Sequence, residues 1–130
     1  MINVTCAIIE QADKVLCAQR SEQMNHPLKW EFPGGKQEAG ETLETCLVRE
    51  IQEELGLVIV IREKLPASRH QYHNAKEICL HPFICTVQTG EILLKEHKQI
   101  AWLKPHELQA LDWAEADIPI LHHYLSLKQA

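Results

Sequence analysis

The chain reads as a mixed α/β domain in which a sheet lies between helices. Three observations lead there. Short stretches rich in Val, Ile, Leu and Cys recur along the chain, each bounded by turn-forming residues, which is the pattern of strands. One segment between Thr42 and Gly56 instead spaces Leu47, Val48, Ile51 and Leu55 at helical intervals, so that they share an arc and can face a core. A second helical stretch closes the chain. Pattern alone supports α+β or α/β.

The elements follow in order. Val4 to Glu10 and Lys14 to Arg20 are expected strands joined by the polar turn Gln11-Ala12-Asp13. A loop from Ser21 to Leu28 leads into Lys29-Trp30-Glu31-Phe32. Pro33-Gly34-Gly35 is expected to break any strand and to let backbone approach a ligand closely. Thr42 offers an N-cap for the central helix, and Gly56 stops it in the left-handed conformation glycine tolerates. Leu57 to Glu63, Ala67 to Tyr72, Glu77 to Val87 and Gln99 to Leu103 are further strands, with a turn at Thr89-Gly90-Glu91. Pro105-His106-Glu107-Leu108 opens a short helical turn. Asp117 to Leu127 is the last helix, and Pro119 is acceptable in its first turn.

Composition narrows the function classes. The chain has 130 residues, enough for one domain with a real core, and residues 1–130 show no repeat, low-complexity tract or linker. Net charge is −5, which argues against a surface that coats long nucleic acid. It leaves nucleotides open, because a bound metal reverses the local sign of an acidic pocket. No apolar run reaches the roughly 20 residues that cross a bilayer. The five cysteines, Cys6, Cys17, Cys46, Cys79 and Cys85, sit in apolar stretches without paired spacing. They read as small hydrophobes in a reducing cytoplasm. The eight histidines, among them His70, His73, His122 and His123, read as surface or packing residues.

The chemistry gathers on the central helix. Glu50, Glu53 and Glu54 follow Arg49, and at about 100° per residue they fall within an arc of roughly 100°. Three carboxylates on one stripe repel each other, and a cation in front of them relieves the repulsion. Hard oxygen donors suit Mg²⁺, with Mn²⁺ as the alternative, and such ions bind substrate phosphates while keeping some water. Glu50 or Glu53 could instead deprotonate an attacking water. Arg49 cannot accept a proton at neutral pH; its expected task is to fix a catalytic glutamate by a forked hydrogen bond, together with Glu41. Glu41 also suits the helix dipole near an N-terminus.

From Gly35 the chain runs five residues to Glu41, then seven more to Arg49-Glu50-Ile51-Gln52-Glu53-Glu54-Leu55-Gly56-Leu57. This run, residues 35–57, resembles the signature of the Nudix hydrolases at every defined position. Outside it, Cys17-Ala18-Gln19-Arg20, Trp30-Glu31-Phe32-Pro33-Gly34-Gly35-Lys36 and Ala114-Glu115-Ala116-Asp117-Ile118-Pro119 look closest to the MutT-like branch, especially its CTP pyrophosphohydrolase members. The resemblance implies a single domain folded as an α/β/α sandwich with a mixed sheet. It implies Glu50, Glu53, Glu54 and the Gly34 carbonyl as metal ligands, with Glu96 near the metals; by itself Glu96 is a charged loop residue. Arg20 matches an arginine that meets phosphates in the branch, or is a surface charge at a strand end. Lys36 steadies a phosphate or is simply solvated. Phe32, Trp30 and Trp113 line a base or belong to the core. Asp117 departs from the MutT pattern, which has an asparagine there. It suits a cytosine edge, or serves as an N-cap for the last helix.

The activity so implied is Mg²⁺-dependent hydrolysis of a nucleoside triphosphate, CTP, dCTP or a modified pyrimidine nucleotide, to a monophosphate and pyrophosphate. An 8-oxo-dGTP sanitising hydrolase, hydrolysis of ADP-ribose or dinucleoside polyphosphates, and a non-catalytic nucleotide sensor are the alternatives. The expected partners are the nucleotide alone, with no membrane and no long nucleic acid, in a monomer or homodimer.

Overall fold

The computed structural model describes residues 1–129. Strands β1 (Ile2–Gln11) and β2 (Lys14–Gln19) form a hairpin. Its two turn residues, Ala12 and Asp13, have φ of 52° and 66°, the paired left-handed geometry that matches strand twist across a two-residue loop. Two short strands follow, β3 (Trp30–Glu31) and β4 (Gly34–Lys36), then helix α1 (Leu43–Leu55). Strands β5 (Val58–Lys64), β6 (Ser68–His70), β7 (Ile78–Thr89) and β8 (Gln99–Leu103) come next. Turns of 3₁₀ helix at Pro105–Ala110 and Glu115–Asp117 lead into helix α2 (Ile118–Lys128).

The sheet is mixed. β1 runs parallel to β7 from Ile2 opposite Ile78 to Glu10 opposite Thr86; the other described strand pairs are antiparallel, and an isolated parallel bridge joins Trp30 to Trp113. A parallel pair needs a long crossover, and the stretch containing α1 supplies it. Along its other edge β1 changes partner, pairing near Glu10 with β2 and near Thr5 with β4. Between β2 and β4 the chain makes a loop and returns as β3 against β2, and residues of this loop line a cleft.

Strand alternation divides the core into two layers. Cys6 and Ile8 of β1, Val15 and Cys17 of β2, and Leu80 and Ile84 of β7 face α2, where they meet Ile120, Leu121 and Tyr124. Ala7, Ile9, Leu16, Phe83 and Cys85 face the other way, onto Leu47, Ile51 and Leu55 of α1. A fully buried Leu or Ile contributes roughly 1.5–3 kcal/mol, so each helix is held by its apolar face. The α/β/α sandwich expected from the sequence is the fold observed.

α1 begins and ends where expected. The Thr42 hydroxyl accepts the Thr45 amide at 3.1 Å, and Gly56, at φ 72°, donates its amide to the Gln52 carbonyl. The glycine-rich turn differs from expectation. The break is confined to Phe32 and Pro33, and Gly34 resumes pairing opposite Cys6. Glycine is required there by proximity: a Cβ on Gly34 would lie 1.9 Å from the Thr5 carbonyl oxygen. Among the described residues no helix is long and apolar enough to cross a membrane.

Candidate active site

α1 points its charged face at the β4 turn, and Arg49 organises what lies between. Its Nε and Nη2 donate to the two Glu41 carboxylate oxygens at 3.0 and 2.6 Å. Its Nη1 donates to Glu50 Oε1 at 3.0 Å and Glu53 Oε2 at 3.2 Å. The Glu38 amide closes the ring by donating to Glu41 Oε1. Arg49 first, then the Glu38 amide, hold the Glu41 carboxyl down at about 2. The forked bond read from the sequence is present, and Glu41 is its acceptor.

The three helix glutamates occupy different surroundings. Glu53 is the outermost, its side chain 61% exposed. Glu50 packs over Gly35, where a Cβ would sit 2.3 Å from its carboxyl carbon. Glu54 is buried at 8% exposure, and its Oε2 has no hydrogen-bond partner. Burial pushes the Glu54 carboxyl up to about 9, with the charges of Glu31, Glu50 and Glu96 adding to it. Burial raises Glu50 as well. Glu96 belongs to the loop after β7, which is tied to the end of α1 by the Leu93 amide on the Leu55 carbonyl, at 2.9 Å.

These donors fit a hard divalent cation. An orphaned buried carboxylate oxygen whose neighbours are also acidic is in the state a cation would relieve. Among the described residues no three acidic, histidine or cysteine side chains converge to hold an ion unaided.

A cavity of about 390 Å³ runs from Gly34, Gly35 and Glu54 to Asp117. Asp117 is 7% exposed and stands immediately before α2, yet its side chain makes no cap bond. Its Oδ2 instead accepts the Phe32 amide at 2.9 Å. Burial, then the charge of Glu31, pushes its carboxyl well above the ordinary range; the Phe32 amide and Arg20 act the other way. Phe32 is buried against Trp113, with centroids 4.7 Å apart, and still borders the cavity. Trp30 is half-buried, its amide donating to Asp112. Lys36 is exposed at the cavity rim.

Three residues to which the sequence reading gave no part in the site belong to this cavity or its wall. Glu31 accepts from Arg20 Nη1 at 2.7 Å, and its other oxygen lies 2.8 Å from His97 Nε2. The His97 side chain is fully buried, so one of the histidines read as surface or packing holds a carboxylate of the pocket. Tyr72 lines the same cavity. Only the Trp-Glu-Phe run before Pro33 hinted at Glu31; no local pattern marks the other two. A second cavity, about 610 Å³ between the β1–β2 hairpin and α2, contains none of the residues 35–57.

Comparison with known proteins decides the family: the NUDIX domain pattern matches residues 1–124. The chain belongs to the Nudix family. This Nudix chain is 38% identical to the CTP pyrophosphohydrolase of Escherichia coli K12, over 100% of its own length and 96% of that protein's. It is 31% identical to the 8-oxo-dGTP diphosphatase of Haemophilus influenzae, over 97% of its length and 93% of the relative's. Among solved structures, that of the E. coli ORF135 protein superposes with a TM-score of 0.85 at 36% identity, covering 98% of this chain and 91% of that one. The Nudix chain is accordingly a hydrolase of nucleotide phosphoanhydride bonds, in a family that generally uses divalent metal ions.

Proposed function

We propose that this Nudix hydrolase is a Mg²⁺-dependent nucleoside triphosphate pyrophosphohydrolase acting on CTP or dCTP and releasing a monophosphate and pyrophosphate. One observation carries the reading: a single cavity runs from Glu54, on the carboxylate face of α1, to a buried acid, Asp117. Phosphates belong at the first end and the base at the second. Asp117 is held in surroundings that favour its protonated form. A neutral carboxyl offers a donor and an acceptor together, which complements the N3 acceptor and N4 amine of cytosine. The 38% identity to a protein named for CTP hydrolysis supports the same base.

Glu50, Glu53, Glu54 and the Gly34 carbonyl are the proposed ligands, with Glu96 beside them. A divalent ion bound there would neutralise phosphate charge and lower the pKa of a bound water. Arg49 locks Glu41, Glu50 and Glu53 in place, so that the carboxylates are oriented before substrate arrives. Glu50 or Glu53 accepts the proton of the attacking water. Arg20 and Lys36, both bordering the cavity, meet the phosphates.

The test is a panel of CTP, dCTP, dGTP and 8-oxo-dGTP with Mg²⁺, with both products identified. CTP and dCTP should give the highest kcat/KM, with pyrophosphate released. Preferential turnover of 8-oxo-dGTP would replace this substrate with that of the Haemophilus relative. Glu53→Gln should lower pyrophosphate release by about 10²-fold, the scale of losing one group that stabilises a transition state; undiminished release removes Glu53 from the site. Asp117→Asn should move preference away from cytosine more than it slows a poor substrate.

A further inference from the structure

Tyr72 lies two residues beyond β6 and bridges segments remote in sequence. Its hydroxyl oxygen accepts the Ala116 amide at 3.0 Å, directly before Asp117. One face of its ring is covered by the His26 imidazole, with centroids 3.9 Å apart and planes at 28°. His70 packs edge-on at 4.4 Å. Tyr72 and His26 both line the cavity that contains Asp117. His26 sits in the loop between β2 and β3 with φ of 53°, a left-handed conformation uncommon outside glycine, so its place depends on contacts such as this stack.

Asp117 reads a base only if its carboxyl is held at one height and tilt. Its own tether is the Phe32 amide on Oδ2. The peptide that carries it is tethered by the Tyr72 hydroxyl and by the Asp117 amide on the Ala114 carbonyl, at 3.0 Å. The tyrosine is thus a strut: one end fixes the turn bearing the acid, and the ring face fixes the loop that closes the opposite side.

We propose that Tyr72 is a positioning residue for base discrimination, setting the Asp117 carboxyl against the wall formed by its own ring and His26. The proposal deepens the reading of Asp117 as the base-contacting acid and rests on it. It does not touch the α1 carboxylates, so it separates base selection from turnover.

Tyr72→Phe keeps the ring and the His26 stack and removes the acceptor for Ala116. The ratio of kcat/KM for CTP to that for GTP should fall about fivefold, the size of one lost hydrogen bond. The change should appear in KM for CTP, with kcat within about twofold. Combined with Asp117→Asn, the two effects on the ratio should be less than additive. A merely structural tyrosine would lower Tm and reduce kcat/KM for both nucleotides alike; an unchanged ratio, or strict additivity, overturns the proposal. If the wild-type enzyme prefers another base, the CTP reading fails, and the same double-mutant cycle on its best-separated pair still decides the role of Tyr72. Should Tyr72→Phe not fold, His26→Asn, at an exposed position where asparagine tolerates the left-handed φ, removes the ring stack: a fall in the ratio supports the strut and an unchanged ratio overturns it.

Discussion

Arg49 holds two carboxylate oxygens of Glu41 and one each of Glu50 and Glu53, and the chemistry of those acids follows from this arrangement. Glu41 is the group whose titration reports it. Its carboxyl is held at about 2 in the folded chain against an ordinary 4.5. A depressed acid contributes stability that is complete above the unfolded value and disappears as pH falls through the folded one. The Tm advantage of wild type over Glu41→Gln should therefore be constant above about pH 5 and vanish near pH 2. The two glycines of the turn make a second test, because their neighbours differ. A Cβ on Gly35 meets the flexible carboxyl of Glu50, whereas on Gly34 it meets the Thr5 backbone. Gly35→Ala should leave Tm nearly unchanged while displacing Glu50 and lowering kcat by up to about 10²-fold. Gly34→Ala should instead destabilise by about 1–3 kcal/mol or more in urea titrations.

Among the elements, α1 carries both the fold and the site on adjacent faces. Leu47, Ile51 and Leu55 are fully buried, one helical turn or less from the glutamates they position. Truncating Ile51 to Ala should cost about 2–5 kcal/mol through the cavity it leaves. Thr42→Ala removes only the cap and should cost about 1 kcal/mol. Equilibrium unfolding measures both. Thr42→Ala should keep kcat, since the capped turn precedes Arg49 by nearly two turns; a matching loss of kcat would show that the cap also orders the site.

For the whole molecule, four of the five thiols are buried, Cys6 and Cys17 in one core layer, Cys85 in the other and Cys46 against the Gly35 carbonyl, with Cys79 partly exposed. Burial pushes Cys17 and Cys85 up to about 12. Neutral buried thiols stabilise fully below their unfolded pKa of roughly 8.5, and that contribution is lost as pH rises toward 12. Tm should accordingly fall as pH climbs above about 9. At pH 8 a thiol reagent should label Cys79 first, and the other four should react together only when urea opens both layers. Separate labelling of Cys17 and Cys85 would show that the layers unfold independently.

The caps of α1, the 35–57 spacing and most strands were legible in the chain, because helix periodicity, turn chemistry and ligand spacing are local properties. Gly34–Lys36 was not: Pro33 and two glycines mimic a strand break, and only the closeness of Thr5 explains why a strand needs them. Asp117 stood between two readings; its carboxyl accepts the Phe32 amide, 85 residues away, and makes no cap bond to α2. Glu31 with His97 and Tyr72 with Ala116 lie 66 and 44 residues apart. Glu31 and His97 meet because β3 and β8 pair with the same end of β2, while the bridge between Trp30 and Trp113 brings Phe32 beside Asp117. Residue order alone carries the proposed phosphate site, most of whose acids lie on one helix; the proposed base pocket exists only after non-local strand pairing assembles its walls.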